Sequence, residues 1–255
     1  MYVLIVQCVK ASTELYFFNA SGVDLLDRYG GPGTWAVITG ASSGQGKVFA
    51  EELAARGFNI AIIGSVRSKD TADELEQVYP DIQTHVCVVD FTNAASDEDF
   101  FPKIEADLQA AGVLDKLGLL VNNVGHRVSW DPYHAMPVDK INDTIVVGTI
   151  AQSRLTHLAL RHMVERKQSE TAKNSGIVFI TAQHSHPGIF GDNTLSLPYL
   201  ACYEAANVFG HAHAMSLYME YRDTHPEIDM LVVTPGAVIT KATRAAPTGT
   251  FASIE

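Results

Sequence analysis

Short apolar runs alternate with amphipathic stretches along most of the chain, from residue 34 onward. The apolar runs lack polar alternation, which is typical of strands buried on both faces of a sheet. They are WAVITG (35–40), NIAIIG (59–64), THVCVVD (84–90), LGLLVNNVG (117–125), GIVFIT (176–181) and DMLVVTPG (229–236). Apolar positions at helical spacing predict helices over about 46–58, 69–79, 97–111, 139–166 and 203–222. This alternation predicts an α/β fold, a single doubly wound parallel-sheet domain of the Rossmann type.

The same pattern divides the chain into three parts. The stretch YGGPG (29–33) is rich in turn-forming residues, so residues 1–33 are predicted to form an N-terminal extension. Residues 34–241 are predicted to form the Rossmann-type domain. Residues 242–255 have neither strand nor helix periodicity, which indicates an irregular C-terminal tail.

The first ten residues, MYVLIVQCVK, are mostly apolar. They are too few to cross a bilayer, which takes ~20 residues, and no small-residue cleavage site follows them. A strand, a contact with a membrane surface and the stub of a longer segment all remain open for them. No later stretch reaches ~18 uninterrupted apolar residues, so the sequence predicts no transmembrane helix.

Composition and charge narrow the class of protein. With 255 residues and 47% hydrophobic content, the chain is long enough for one large domain with a substantial core. Its formal net charge of −11 and its lack of a Lys/Arg cluster argue against nucleic-acid or anionic-membrane partners. Cys8, Cys87 and Cys202 are far apart in apolar surroundings, as expected for buried thiols in a reducing compartment. A cytoplasmic location follows from this.

The most specific motif is TGASSGQG, which directly follows a predicted strand and opens a predicted helix. Glycines let the backbone turn tightly and approach a pyrophosphate, and the helix N-terminus then meets the phosphate charge. A simple tight turn is the alternative. The residues predicted to bind a dinucleotide here are Thr39, Gly40, Ser42, Ser43, Gly44, Gln45 and Gly46.

The end of the second strand bears on the choice of dinucleotide. An NAD enzyme usually places an acidic residue there for the ribose 2′-hydroxyl. This chain has Ser65 instead, followed by Arg67 and Lys69. Two cations and no carboxylate favour a 2′-phosphate, so NADP is predicted over NAD, with a solvated loop charge as the alternative for Arg67.

Further polar residues follow the third and fourth strands. Asp90 could accept a hydrogen bond from an adenine amino group, or could form an Asx turn. Asn122, Asn123 and Gly125 belong to NNVG, whose amides can stiffen the strands near the ribose. The carboxyl ends of parallel strands share one edge of the sheet, where open α/β sheets bind ligands.

Taken in order, TGxxxGxG at 39–46, NNVG at 122–125, a Tyr-centred helix at Tyr203 and PG at 235–236 resemble the short-chain dehydrogenase/reductase family. The chain is most similar to the branch that holds the microsomal 3-ketoacyl-CoA reductases and related 17β-hydroxysteroid dehydrogenases. That branch usually has the sequence GxGK at the end of the loop, which Gly44, Gly46 and Lys47 match here. It also usually has membrane-spanning flanks, for which this sequence shows no candidate. The resemblance also adds three residues to the predicted nucleotide site: Pro235, Gly236 and Thr240.

The family works with Asn, Ser, Tyr and Lys, the last two as YxxxK. Tyr203 matches the tyrosine, which exchanges the substrate proton, but Asn207 stands in place of the lysine that binds the nicotinamide ribose and lowers the tyrosine's pKa. The asparagine position falls on Gly148. Using Tyr199 as the tyrosine would also leave the motif without a lysine.

The serine position depends on the direction of counting. Counted forward from Gly176 it falls on Gln183, and counted back from Tyr203 it falls on Phe190. The intervening loop is several residues longer than usual for the family. Ser185 could take the serine's place only if that loop shifts.

These losses predict weakened chemistry. Without a nearby ammonium, Tyr203 should keep a pKa near ~10 and remain a neutral phenol that donates but hardly accepts a proton. Carbonyl reduction, which needs an acid, should therefore suffer less than alcohol oxidation. Each lost electrostatic contact often costs about 10²–10³ in rate, although such effects do not simply add.

Histidines offer a second source of protons. His126, His184 and His186 lie in predicted loops at the carboxyl edge of the sheet, and a histidine could act as proton donor there, although ordinary loop histidines are the simpler interpretation. The pairs two residues apart, His184 with His186 and His211 with His213, lack a third ligand, so no metal site is expected.

The resulting hypothesis is an NADP-dependent oxidoreductase of the short-chain type that reduces a carbonyl on an apolar substrate, a 3-ketoacyl thioester or steroid-like ketone, with Tyr203 as proton donor and weakened activity. Trp130, Tyr133 and Met136 could line its substrate pocket or simply pack onto the core. A catalytically inactive dinucleotide-binding or regulatory protein is one alternative, and a truncated or decaying copy without a function of its own is another. The resemblance implies a homodimer through the two long helices. Peripheral attachment to the endoplasmic reticulum is the alternative to a purely cytoplasmic location.

Overall fold

The computed structural model describes residues 3–4, 23–125, 130–166, 174–182 and 198–236. Its sheet is parallel throughout. The strands are β1 (Val3–Leu4), β2 (Trp35–Thr39), β3 (Asn59–Gly64), β4 (Thr84–Val88), β5 (Leu117–Asn122), β6 (Ser175–Ile180) and β7 (Ile228–Val233). The helices are α1 (Leu25–Tyr29), α2 (Gly44–Ala54), α3 (Ser68–Val78), α4 (Phe100–Ala110), α5 (Val138–Ile145), α6 (Gln152–Arg166) and α7 (Ala201–Tyr221). Short 3₁₀ turns cover Phe91–Ala95, Leu114–Lys116 and Tyr133–Ala135.

The strands lie in the order β1-β7-β6-β5-β2-β3-β4. The order reverses at β2, which pairs with both β3 and β5. All five residues of β2 are buried, as are all six of β3 and all six of β5, because helices cover both faces of the sheet. This arrangement confirms the predicted doubly wound Rossmann-type fold. It also places the ligand-binding crevice of such sheets at the carboxyl ends of β2 and its neighbours.

The two faces of the sheet have separate cores. On one face, Phe101 and Ile104 from α4 pack with Leu155 and Met163 from α6. On the other face, Leu53 and Leu75 from α2 and α3 pack against the apolar side chains of β2 and β3. Each of these four helices buries small and apolar residues on one side, which is the pattern that predicts them from the sequence.

The predicted helix over 139–166 is confirmed from Val138 to Arg166, but it is not α-helical throughout. It consists of α5, a π-helix at Val146–Ala151, and α6. The wider π turn lies next to the carboxyl edge of the sheet, and such turns are frequent at functional sites. Among the described residues, no helix is both long and apolar enough to pass through a bilayer.

Helix α1 has no counterpart in the predicted pattern. Its N-cap Asp24 accepts a hydrogen bond from Asp27 N at 3.2 Å. The Arg28 guanidinium donates to the Asp229 carboxylate at 2.9 and 3.0 Å, and the Tyr29 hydroxyl donates to it at 3.0 Å. Burial, together with the Asp229 charge, raises the pKa of Tyr29 to about 12. These contacts fix α1 beside the amino end of β7, away from the crevice.

Candidate functional site

The Gly-rich loop after β2 needs its glycines for two physical reasons. Gly40 and Gly44 have φ values of +69° and +61°, which L side chains rarely adopt. A Cβ on Gly46 would lie 2.4 Å from Asn123 Nδ2 and 2.6 Å from the Gly40 carbonyl oxygen. The loop can therefore fold this tightly only with glycine at these positions.

A dense hydrogen-bond network holds this loop against the end of β5. The buried Thr39 hydroxyl accepts from the backbone N–H groups of Asn123 and Val124, both at 2.9 Å, and donates to the Val121 carbonyl at 3.3 Å. Asn123 Nδ2 donates to the carbonyls of Thr39 at 2.9 Å and Gly40 at 3.2 Å. Thr39 and Asn123 thus stiffen the two strand ends from inside.

The N-terminus of α2 opens directly from this loop. Its N-cap residue is Ser43, whose side chain makes no capping hydrogen bond, so side-chain capping does not occupy the first N–H groups of the helix. Ser42 and Gln45 are partly buried at the same place. Lys47 forms an ion pair with Glu74 of α3, and this pair links α2 to α3. Free N–H groups at a helix N-terminus are suited to a phosphate.

At the end of β3, Ser65 and Arg67 are exposed, and Arg67 has no ion-pair partner within the described part of the chain. Ser68 is fully buried, and its Oγ makes no hydrogen bond to any described residue. A Cβ on Gly64 would lie 2.9 Å from that oxygen and 3.7 Å from Gly40 Cα. An unpaired hydroxyl therefore lies close to the Gly-rich loop, and the exposed cation Arg67 directly precedes it in the chain.

Two other predicted residues have structural partners. Asp90 Oδ1 accepts from Thr92 N at 3.1 Å and from Thr92 Oγ1 at 2.8 Å, which is the Asx turn considered as the alternative. Its second carboxylate oxygen takes no part in that turn. Asn122 is buried, and its Nδ2 donates to Thr156 Oγ1 at 2.9 Å, which ties β5 to α6.

A cavity of about 80 Å³ lies between the sheet edge, α5–α6 and α7. It is large enough for several water molecules, since each needs about 10–15 Å³. None of the described residues around it is charged. They are Gln45, Asn123, Val124, Gly125, Thr144, Gly148, Gln152, Ile180, Thr181, Tyr203, Ala206 and Asn207.

Tyr203 is the residue with a titratable side chain among the described residues that line this cavity. Burial raises the pKa of its phenol, the nearby Glu204 carboxylate raises it further, and hydrogen bonding to Asn207 lowers it in part. Asn207 Nδ2 donates to the backbone carbonyl of Tyr203 at 2.8 Å, within the same helix. Tyr203 is therefore a neutral phenol at neutral pH, and Asn207 directs one amide hydrogen to its own helix.

Gly148 lies on the π-helix, opposite α7. A Cβ on Gly148 would approach the Ala206 Cβ to 2.7 Å. No side chain can therefore be added at this position unless the two helices move apart. The position predicted to match the family's asparagine is thus one where close helix packing leaves no room for a side chain.

The structure places three polar residues at the cavity that the motif comparison did not identify: Thr144, Gln152 and Thr181. Gln152, one turn after Gly148, lines the cavity, as does Thr181, whose hydroxyl donates to the Val233 carbonyl at 3.2 Å. The sequence places Gln152 at four-residue spacing from Gly148, but only tertiary packing shows that both reach the cavity.

Several predicted residues do not reach this cavity or cannot be placed. Tyr199 lies in a turn before α7, is 46% exposed and has φ +72°, so only Tyr203 of the two tyrosines lines the cavity. Pro235 and Gly236 follow β7. Tyr133 lines a separate apolar cleft that includes Cys202. The candidate catalytic and nucleotide-binding residues that lie outside the described part of the chain are His126, Gln183, His184, Ser185, His186, Phe190 and Thr240. The described ranges contain no cluster of three or more metal-ligating His, Cys, Asp or Glu side chains.

The family model for short chain dehydrogenases matches residues 34–249, most of the chain. The chain belongs to the short-chain dehydrogenase family. This confirms the resemblance that the glycine motif, NNVG and the Tyr203 helix carry.

Curated members of the family match at moderate identity. The very-long-chain 3-oxoacyl-CoA reductase of Emericella nidulans is 37% identical over 146 residues, which cover 56% of this chain and 40% of that protein. The inactive hydroxysteroid dehydrogenase-like protein 1 of Homo sapiens is 34% identical over 218 residues, which cover 82% of this chain and 57% of that protein. The chain spans about half the length of these relatives.

Solved structures of short-chain dehydrogenases have the same fold. One from Sphingobium yanoikuyae, in complex with NADPH, superposes with a TM-score of 0.62 at 24% sequence identity, over 82% of this chain and 73% of that one. Similarity at this level supports the fold.

Proposed function

We propose that this chain is an NADP-dependent oxidoreductase of the short-chain family that reduces a carbonyl on an apolar substrate, with Tyr203 as proton donor and with weakened activity. The observation that carries the proposal is the position of a neutral phenol in a cavity that begins at the Gly-rich loop. A neutral phenol suits the reductive direction, because reduction needs a proton donor.

The described residues fit a nicotinamide dinucleotide. The glycine at position 46 leaves the space that a side chain would fill, and the first N–H groups of α2 are not used by a side-chain cap. Arg67 supplies a cation for a 2′-phosphate, and Ser68 Oγ is a buried hydroxyl without a described partner. These features favour NADP over NAD, the same preference that the missing carboxylate after β3 predicts.

The chemistry divides between cofactor and protein. A reduced nicotinamide supplies a hydride when bound. Tyr203 holds the proton for the carbonyl oxygen, and the Thr39–Asn123 network keeps the strand ends in place. With no ammonium beside Tyr203 among the described residues, the charge that forms on its oxygen lacks the usual stabilisation, so the rate should be low.

The substrate class rests on similarity to relatives. Very-long-chain 3-oxoacyl-CoA reductases match this chain, so a 3-oxoacyl thioester is the first substrate to test and a steroid-like ketone the second. A homodimer through α5–α6 and α7 is part of the proposal, because Ile145, Val208 and Phe209 on these helices are exposed apolar residues. The proposed location is cytoplasmic, with peripheral attachment to the endoplasmic reticulum as the alternative.

A catalytically inactive dinucleotide-binding protein is the second candidate. It is favoured by the 2.7 Å approach of a Gly148 Cβ to Ala206, which excludes the polar side chain expected there. Similarity to the human protein that is named inactive also supports this second candidate.

Turnover separates the two candidates. The purified chain would be mixed with NADPH and a long-chain 3-oxoacyl-CoA, and loss of NADPH absorbance would be followed for the wild type and for Tyr203→Phe. Slow oxidation that Tyr203→Phe abolishes is the result expected of a reductase. Nucleotide binding without any oxidation would instead support the inactive binding protein.

A further inference from the structure

The side-chain amide of Gln152 has no role in the proposed chemistry. Its Nε2 is completely buried and makes no hydrogen bond to any described residue. It lines the same cavity as Tyr203 and Asn207. A buried donor without a partner is costly and rare in native proteins, so an acceptor that fills the cavity is expected to complete it.

The two helices are fitted around this amide. A Cβ on Gly210 of α7 would lie 3.0 Å from Gln152 Oε1 and 3.1 Å from Nε2. The amide of Gln152 therefore packs directly against the backbone of α7, in space that exists because residue 210 is glycine. This packing restricts the positions open to the amide and keeps it at the wall of the cavity.

The π-helix helps to bring Gln152 to the cavity. Thr144, Gly148 and Gln152 are four residues apart and all line it. Residues at this spacing drift around an α-helix, which has 3.6 residues per turn, whereas the wider π turn keeps them closer to one side. The Thr144 hydroxyl donates to the Lys140 carbonyl at 2.8 Å, and Gly148 has no side chain. Gln152 is thus the residue of this row with an unused donor.

Topology indicates which half of a dinucleotide the cavity adjoins. Dinucleotides lie across the point where the strand order reverses, here β2, and the residue that reads the adenosine ribose follows the second strand of the fold. That position is near Ser65 and Arg67, on the β3 side. The cavity extends to the other side, from Gln45 to Gly125 and Thr181 at the ends of β5 and β6. It therefore adjoins the nicotinamide riboside half, which carries hydroxyl and carboxamide oxygens.

We infer that Gln152 is a nucleotide-binding residue, with Nε2 donating a hydrogen bond to an oxygen of the nicotinamide riboside half of the bound dinucleotide. Asn207 already directs an amide hydrogen to the Tyr203 carbonyl, whereas Gln152 Nε2 has none engaged among the described residues. The inference rests on the proposed dinucleotide binding, and it assigns to α6 a contact that the motif comparison expects from α7.

The test compares a whole nucleotide with one half of it. Gln152→Met keeps the length of the side chain and removes the donor. NADPH and 2′,5′-ADP, which lacks the nicotinamide riboside, would each be titrated into the wild type and the variant. The dissociation constant for NADPH should rise about fivefold to tenfold, as for one lost hydrogen bond, while that for 2′,5′-ADP stays unchanged. Gln77→Met, the same change at an exposed position of α3, should alter neither constant.

Thermal unfolding without nucleotide distinguishes binding from a structural role. Removal of an unpaired buried donor should leave the melting temperature of Gln152→Met unchanged or raise it. A clear decrease, or an equal loss of affinity for both ligands, would show that Gln152 supports the fold and would overturn the inference. Equal NADPH affinity in wild type and variant would overturn it while the proposed function stands. If the wild type bound neither ligand, the proposed function would fail and this inference with it.

Discussion

The Thr39–Asn123 network and the cavity that Tyr203 lines differ in how completely their polar groups are paired. On the side of the Gly-rich loop, the Thr39 hydroxyl makes three hydrogen bonds, and the Asn123 amide bridges two carbonyls. In the cavity that Tyr203 lines, Gln152 Nε2 has no hydrogen-bond partner among the described residues, and no described lining residue carries a charge. The proposed pyrophosphate contacts therefore depend on the paired loop network, whereas the proposed proton donor Tyr203 lies in the cavity, so a substitution at one place can leave the geometry of the other intact.

The largest effect is expected on the loop side. Gly46→Ala places a methyl group 2.6 Å from the backbone oxygen of Gly40, so the loop must move. The affinity for NADPH should fall by about 100-fold or more, because pyrophosphate contacts depend on the close approach of this backbone. Fluorescence titration of NADPH measures it. Gly112→Ala, at a left-handed position with open space, should lower stability but leave the affinity unchanged. Unchanged affinity in Gly46→Ala would contradict the assignment of the loop.

The next effect concerns the network that supports the loop. Thr39→Val keeps the shape of the side chain but leaves the N–H groups of Asn123 and Val124 without their acceptor. The free energy of unfolding should fall by about 2 kcal/mol, as for buried donors left unpaired. Urea denaturation measures the change, and Thr39→Ser, which keeps the hydroxyl, should recover most of it. Equal loss in both variants would attribute the effect to packing.

A third prediction concerns the pKa of Tyr203 in the cavity. Asn207→Lys introduces a cation one helical turn after Tyr203, and a nearby opposite charge stabilises the phenolate. The pKa of Tyr203 now lies above the usual tyrosine value, so the phenol stays neutral well into alkaline pH. In Asn207→Lys the pKa of Tyr203 should fall, and phenolate absorbance should appear at lower pH than in the wild type.

That titration needs two references. The Tyr203→Phe background isolates the signal of this tyrosine, and Asn207→Met supplies length without charge. An equal decrease in the lysine and methionine variants would show that the charge plays no part.

The smallest effect concerns the choice of nucleotide. Arg67→Ala removes the cation proposed to meet the 2′-phosphate, so NADPH should bind about fivefold more weakly while NADH is unaffected. Arg56→Ala, in the turn after α2 at a residue paired with Glu52, is the control. If NADPH and NADH weakened equally in Arg67→Ala, the cation would not read the phosphate.

The sequence predicts the fold well because each strand is a continuous apolar run. Runs such as WAVITG and NIAIIG are buried along their whole length, and burial on both faces leaves a clear signal. Helix α1 gives no such signal, since five residues are too few to show a period. It forms through contacts with Asp229, 200 residues along the chain.

The candidate site could be predicted only in part. Local motifs identify Tyr203 and the Gly-rich loop, because tight turns and a strand-loop-helix order leave local patterns. The role of Gly148 depends on its approach to Ala206, and the packing of the Gln152 amide depends on Gly210. Both are packing relations between helices distant in sequence, and no periodic pattern in one helix contains them.

The most direct test is a titration of the intact chain with NADPH and with NADH, followed by nucleotide fluorescence. An intact loop side predicts saturable binding of NADPH, tighter than that of NADH, whether or not any carbonyl is reduced. Absence of saturable binding by either nucleotide would contradict the account, because the paired network around Thr39 and Asn123 would then support the fold alone.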